Sequence, residues 1–218
     1  HWHSPGRAEA VHPCAPGVVD NARMPVPSAP AMRFLAIESS TDTLSIAVGS
    51  GLPGEPVWTH TGPGSAQASI TLLPQVRSLL GQAGWPLQTL DAVVFARGPG
   101  SFTGLRTACA VAQGLAYGTQ ALGRQGGLPV LAVDTLLALA DEACHQWQQA
   151  QRPLPHQVVA LLDARMGELY VAVYTCAPEQ GLQSLAPPRL CAPQDLGAWL
   201  AATLPAATPA GDVPALLL

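Results

Sequence analysis

The chain has no lysine: its ten basic residues are all arginines, and no two are adjacent. That excludes a P-loop lysine over a phosphate and a lysine Schiff base. Charge of either sign is scarce, at 11% of residues, and the net charge is −4. A chain that bound nucleic acid by itself would carry a basic stripe, and this one has none. The five cysteines (Cys14, Cys109, Cys144, Cys176 and Cys191) form no CxxC pair and no Cys/His cluster. An odd count without a framework fits reduced thiols in a cytoplasmic protein. His60, His145 and His156 stand alone. HExxH and HxxxH spacings are missing, so a zinc peptidase has no ligands to use. No apolar run reaches membrane-spanning length, and no signal-peptide core opens the chain.

What is present is material for a core: 48% of the 218 residues are hydrophobic, enough for one large or two small domains. Residues 1–31 are proline-rich and aperiodic, and read as a disordered extension that is not native. His1, His3 and His12 belong to that floppy tail rather than to a metal site. Met32 is the expected natural start. From there the pattern is regular. Strands are expected at 34–38, 44–48 and 57–60, joined by short turns into an antiparallel meander. An alternation follows: helix 67–83, strand 92–96, helix 103–118, strand 129–133, helix 135–149. Such βαβα order makes parallel strands with covering helices. Strands 158–163 and 168–175 come next, with a turn at 164–167. Beyond 177 the chain is Pro/Ala/Leu-rich, with a short helix expected at 193–203. The apolar end Val213-Pro214-Ala215-Leu216-Leu217-Leu218 reads as a strand cut short, so truncation is expected.

The most informative stretch is Gly98-Pro99-Gly100-Ser101-Phe102-Thr103-Gly104-Leu105-Arg106, between a strand and a helix. Glycines there either cradle a phosphate at the helix N-terminus or let two backbones approach closely. The stretch has no terminal Gly-Lys-Ser/Thr. Its third glycine comes one position late for GxGxxG. Pro99 also breaks the nucleophile elbow around Ser101. The structural reading is a tight turn with Ser101 or Thr103 as the N-cap.

Two further turns carry polar groups. Glu38-Ser39-Ser40-Thr41-Asp42-Thr43 places a carboxylate and hydroxyls at a strand end, where actin-like ATPases hold phosphate and magnesium. Here serines stand where such turns usually have glycine. A vestigial nucleotide site at Glu38, Ser39, Ser40 and Thr41 and a plain hairpin turn are both open readings. Asp163-Ala164-Arg165-Met166-Gly167-Glu168 joins two apolar strands, and Gly167 suits a positive φ. A local charge network of Asp163, Arg165 and Glu168 and a catalytic Asp163/Glu168 pair are open readings, and a solvated hairpin turn is favoured over the pair.

The helix after the glycine loop repeats small residues: Gly104, Ala108, Ala112 and Ala116 share one face. That face permits close packing, because the distance between helices follows side-chain size. The preceding helix has two apolar stripes, one with Leu72, Val76, Leu79 and Ala83, the other with Ile70, Leu73 and Leu80. Either both stripes are core, or one meets a partner.

Together these residues resemble one family. MRFLAIESSTDTLSIAV, ASITLLPQV, ARGPGSFTGLR, AQGLAYG and LLDARMGELYVAVY match the bacterial TsaB (YeaZ) proteins in order and spacing, from Met32 to Tyr174. The resemblance implies an α/β, actin-like (ASKHA, ribonuclease-H-like) fold with two lobes. The first lobe is expected at 32–128 and the second, incomplete, at 129–218. It implies a role in making N6-threonylcarbamoyladenosine beside the anticodon of tRNAs that read ANN codons. In that scheme TsaD transfers the threonylcarbamoyl group, and this chain resembles a degenerate paralogue of it. TsaD carries an HxxxH metal motif on its first helix, whereas Gln67-Ala68-Ser69-Ile70-Thr71 here has no histidine.

The expected function is therefore a non-catalytic scaffold that binds and activates TsaD, with the ATPase TsaE joining a larger complex. No catalytic residue, metal or cofactor is assigned to this chain; ATP and metal belong to the partners. The same helices are implied in a homodimer, and tRNA is met only through the complex. The residues placed at the interface are Ile70, Leu73, Val76, Arg77, Leu80, Gly104, Thr107, Ala108, Val111, Ala112 and Leu115. Gly98, Pro99, Gly100, Ser101, Phe102, Thr103, Gly104 and Arg106 form the structural loop. The rival readings are an actin-fold nucleotide-binding enzyme or a metallopeptidase-like protein, and a tRNA-binding module.

Overall fold

Burial alternates along β1 (Phe34–Glu38), an apolar run closed by Glu38, and along β2 (Thr43–Gly49), where apolar and polar residues alternate, so one face of each strand is more deeply buried. Leu35, Ile37, Leu44, Ile46 and Val48 lie on it. The computed structural model describes residues 31–52, 54–177, 181–204 and 216–217. The expected extension, with His1, His3, His12 and Cys14, lies outside the described residues apart from Ala31. β3 (Val57–Pro63) completes the expected antiparallel meander, with Ile37 opposite Ile46 and Ile46 opposite His60. Then follow α1 (Ser65–Ala83), β4 (Ala92–Gly98), α2 (Phe102–Ala121) and β5 (Val130–Asp134). β4 pairs parallel to β1, and β5 parallel to β4. The first sheet is ordered β3-β2-β1-β4-β5, and α1 and α2 cover its buried face.

β5 corrects one expected boundary. The second lobe was to open at residue 129, but Val130–Asp134 closes the first sheet. A strand that follows a helical crossover returns beside its predecessor, so β5 belongs with β4. The first sheet thus ends at Asp134, and α3 (Thr135–Gln149) begins the second half.

β6 (Gln157–Arg165) and β7 (Glu168–Ala177) are long apolar strands buried on both faces. Val158, Ala160, Ala172 and Tyr174 face α3 through Leu136 and Ala140. Val159, Val171 and Val173 face the opposite way, toward Trp199 and Leu200 of α4 (Leu196–Thr203). β8 (Gly181–Cys191) pairs with β7, and β9 (Leu216–Leu217) runs parallel to β6, giving the order β8-β7-β6-β9. The expected helix at 193–203 is a 3-10 turn (Pro193–Asp195) running into α4. β8 was not expected in the Pro/Ala/Leu-rich stretch beyond 177, and it contains Pro187-Pro188, which a central strand would not accept. The pair is tolerated because β8 is an edge strand. Its register on β7 also shifts there, between the pairs Val171↔Arg189 and Val173↔Ala186, so the prolines sit at an irregularity. No helix among the described residues is long and apolar enough to cross a membrane.

Candidate functional site

The three polar stretches picked out of the sequence converge. The Ser40–Asp42 turn, the Gly100–Thr103 loop and the Leu162–Arg165 end of β6 line one cleft of about 630 Å³, with Tyr170 on its wall. The turn sits at the end of β1, the loop between β4 and α2, and the hairpin at the tip of the second sheet. The strand ends of both sheets therefore point into the same space.

The glycine loop is pressed onto the turn. A Cβ on Gly104 would lie 1.7 Å from the carbonyl oxygen of Ser39, and one on Gly100 would lie 2.5 Å from the Ser40 Cβ. No side chain fits at either position. The hydrogen bonds follow the same contact. Ser101 N–H donates to the Ser40 carbonyl. Ser39 Oγ donates to the Gly104 carbonyl at 2.8 Å. Ser40 N–H donates to the Glu38 carboxylate. Ser101 caps α2, its Oγ accepting from Gly104 N–H at 3.5 Å. The Ser40 and Ser101 N–H groups and the Ser39 hydroxyl, all candidate phosphate donors, are thus engaged inside the protein. Of the two uses of glycine, close approach is the one the geometry carries. One polar atom is left over: Ser40 Oγ is buried without a partner.

The hairpin does more than turn the chain. Met166 and Gly167 are its two loop residues, with φ of 53° and 78°, and Arg165 opposes Glu168. Positive φ at both loop positions is the twist a two-residue hairpin needs. Arg165 itself has φ 65° at a register shift after Asp163, and its N–H donates to Asp163 Oδ1 at 2.7 Å. The contacts of Arg165 also reach beyond the hairpin. Arg165 Nη2 reaches Asp42 Oδ1 at 3.1 Å, across the cleft in the first half. Asp163 is therefore occupied as a turn acceptor. At the other end of the loop, Arg97 makes a two-pronged contact with Asp134, at 2.6 and 3.1 Å, tying β4 to β5. That hydrogen bond, and then the carboxylate charge, raise the Arg97 pKa further. Arg106 stacks over the Phe102 ring at 3.7 Å.

Leu162 and Tyr170 lie directly opposite each other across β6 and β7 and form cleft wall. Nothing in the sequence marked them; only the strand register does. Among the described residues, no three His, Cys, Asp or Glu side chains gather as a metal site.

The small-residue face of α2 is corrected. Ala108 and Ala112 are fully buried in the first core beside Leu72 and Val76, and Gly104 is held against Ser39. Val76 and Leu80 of α1 are core as well. Five residues expected at a partner interface are thus consumed by the chain's own packing, because small side chains let α2 lie close to its own sheet. Thr107, Val111 and Leu115 are half-buried at the margin, while Arg77 is exposed. The open faces carry different residues: Ile70 is 75% exposed, Leu73 45%, Phe102 67% and Tyr117 73%.

This architecture is the actin-like fold, with a five-stranded mixed sheet followed by a second sheet and a cleft between their strand ends. The family model described as TsaD, tRNA N6-adenosine threonylcarbamoyltransferase, matches residues 64–201. Among curated relatives, the tRNA threonylcarbamoyladenosine biosynthesis protein TsaB of Escherichia coli K12 is 36% identical over 143 residues, which is 66% of this chain and 55% of that protein. The same-named protein of Haemophilus influenzae is 33% identical over 178 residues, covering 71% of this chain and 68% of the relative. A solved structure of YeaZ from Pseudomonas aeruginosa superposes with a TM-score of 0.59 at 34% identity, covering 75% of this chain and 68% of that one. A second structure, described as similar to peptidase YeaZ from Pseudomonas aeruginosa, gives 0.63 at 30% identity and covers 85% and 74%. The chain belongs to the TsaB (YeaZ) family. Its match spans about half the length of the Escherichia coli relative, at 55%.

Proposed function

We propose that this chain is a non-catalytic scaffold in the synthesis of N6-threonylcarbamoyladenosine on tRNAs that read ANN codons, and that it binds and activates TsaD. One observation carries the reading. On α1 and α2 the small residues are turned inward, while Ile70, Leu73, Phe102 and Tyr117 are left outside. Ile70 and Leu73 are three residues apart on one face of α1, and an exposed apolar pair on a helix face fits a contact surface. In this reading ATP and metal are held by TsaD and TsaE, tRNA is met only through the assembled complex, and the same helices pair two copies when TsaD is absent. The setting is the cytoplasm.

Co-purification with TsaD is the test. Ile70→Asp with Leu73→Asp leaves the buried core untouched and is expected to abolish capture while thermal unfolding stays unchanged. Full capture by the folded double variant overturns the assignment. Gly104 and Ala108 are unsuitable probes, since both lie inside the fold.

A second reading, nucleotide binding in the cleft, draws on Ser40 Oγ, which is buried there without a partner. Calorimetric titration with ATP decides it. Micromolar affinity lost on Glu38→Ala would favour that reading.

A further inference from the structure

Away from the cleft, two cysteines distant in sequence meet. Cys144 on α3 and Cys176 on β7 have their Sγ atoms 3.3 Å apart. Both are half-buried at the margin of the core built from Leu136, Ala140 and Tyr174. The spacing explains the meeting. Cys176 shares a strand face with Ala172 and Tyr174, and Cys144 follows Ala140 by one helical step of four. Beside them lies a cavity of about 360 Å³, lined by both cysteines and by Asp141, Glu142 and His145.

We propose that Cys144 and Cys176 are a modification site, forming a reversible disulfide when a small hydroperoxide enters this cavity, and that the bond staples α3 to β7. A disulfide needs its sulfurs about 2.05 Å apart, so roughly 1 Å of approach completes it. Burial, and then the hydrogen bond with the Cys144 sulfur, push the Cys176 thiol up to about 12. Cys144, on the helix that also supplies Asp141, Glu142 and His145 to the cavity wall, is placed to meet the oxidant, and Cys176 waits on the strand behind it. Its sulfur attacks one peroxide oxygen and the O–O bond breaks. The hydroxide released takes the Cys144 proton as water and leaves a sulfenic acid. The Cys176 sulfur then attacks the Cys144 sulfur. The S–S bond forms, the S–O bond breaks, and the departing hydroxide takes the Cys176 proton as a second water. Two thiols lose two electrons, and the peroxide gains them. Hydrogen peroxide is neutral and small. Glutathione disulfide is bulkier and anionic, and Asp141 and Glu142 oppose it.

Peptide mapping of the full chain tests this. Trypsin cuts after arginine, and the Arg152-Pro153 bond resists it. Cys144 therefore lies on peptide 125–165, Cys176 on 166–189, and Cys109 and Cys191 on others. After hydrogen peroxide and alkylation, 125–165 and 166–189 are expected as one linked species that dithiothreitol separates. Cys109 and Cys191 are expected alkylated. The oxidised chain should unfold roughly 5 to 10 °C higher, because the link closes a long loop. Cys176→Ser should show neither the link nor the rise. Free, alkylated Cys144 and Cys176 after peroxide would overturn the proposal, as would links scrambled onto Cys109 or Cys191. A correct link without a rise in unfolding temperature would overturn the staple.

Discussion

The two sheets solve the burial problem differently. The first buries one face, with alternating strands under α1 and α2, and concentrates its large residues in a single core. The second buries both faces of β6 and β7, and so divides its apolar residues between two smaller clusters. A strand covered on both sides must be apolar throughout, and the runs at 158–162 and 169–174 are. The lesson concerns what each half leaves outside. With a one-sided core, the first half keeps free helix faces on α1 and α2. The second half has both sheet faces covered and keeps only its edges.

The largest effect should come from the contact that welds α2 to the first sheet. Gly104→Val drives a Cβ into the Ser39 carbonyl, 1.7 Å away. A loss of more than about 4 kcal/mol in urea unfolding is expected, or no folded protein at all. In the second half, Gly167 has φ 78° and open space around it. Gly167→Ala should cost only about 1 kcal/mol, a conformational penalty alone. Equal losses at the two positions would break the contrast.

Leu35→Ala and Leu136→Ala compare the cores directly, since both side chains are fully buried. Each should lose about 2–5 kcal/mol, with Leu35 toward the upper end. Hydrogen exchange should show β6 and β7 opening before β1 and β4; the reverse order would mean that the divided core is the stronger one.

A smaller effect is visible at high pH. Burial, and then the Asp134 charge, push the Tyr174 phenol up to about 12. Its folded pKa thus lies above the unfolded value near 10. The stability held by the neutral phenol is complete below about pH 10 and is lost as pH climbs through about 12. Phenolate absorbance should show one late tyrosine, absent in Tyr174→Phe. Ionisation near 10 would mean that water reaches the face between α3 and the sheet.

The smallest effect is expected at the strap between the halves. Arg165 and Asp42 are 69% and 81% exposed, so Arg165→Ala should cost under about 1 kcal/mol, and added salt should erase the difference. A larger, salt-independent loss would make the strap structural.

Much of this was legible in the sequence because it is local. The apolar run at 34–37, the alternation in 44–48 and the short turns after them set the meander, and the change to helical spacing set the βαβα order. The glycines around Gly98 and Gly167 marked the turns that stand there. What was illegible is what depends on distant neighbours. Arg165 and Asp42 are 123 positions apart, and no local pattern pairs them. The small-residue stripe of α2 signals close approach but not to what, and its neighbour is the chain's own sheet. The better sign of an outer surface was on the same helix, in Phe102 and Tyr117. β8 was hidden because Pro187 and Pro188 look like strand breakers when the edge position is unknown.

Those prolines have a meaning for crowded conditions. β8 is the outermost strand of its sheet, the place where a foreign strand could add and begin a fibril-like stack. An incoming chain would meet two consecutive residues with no N–H to offer, at a point where the ladder already changes step. The feature that disguises the strand in the sequence is also what keeps it from serving as a template.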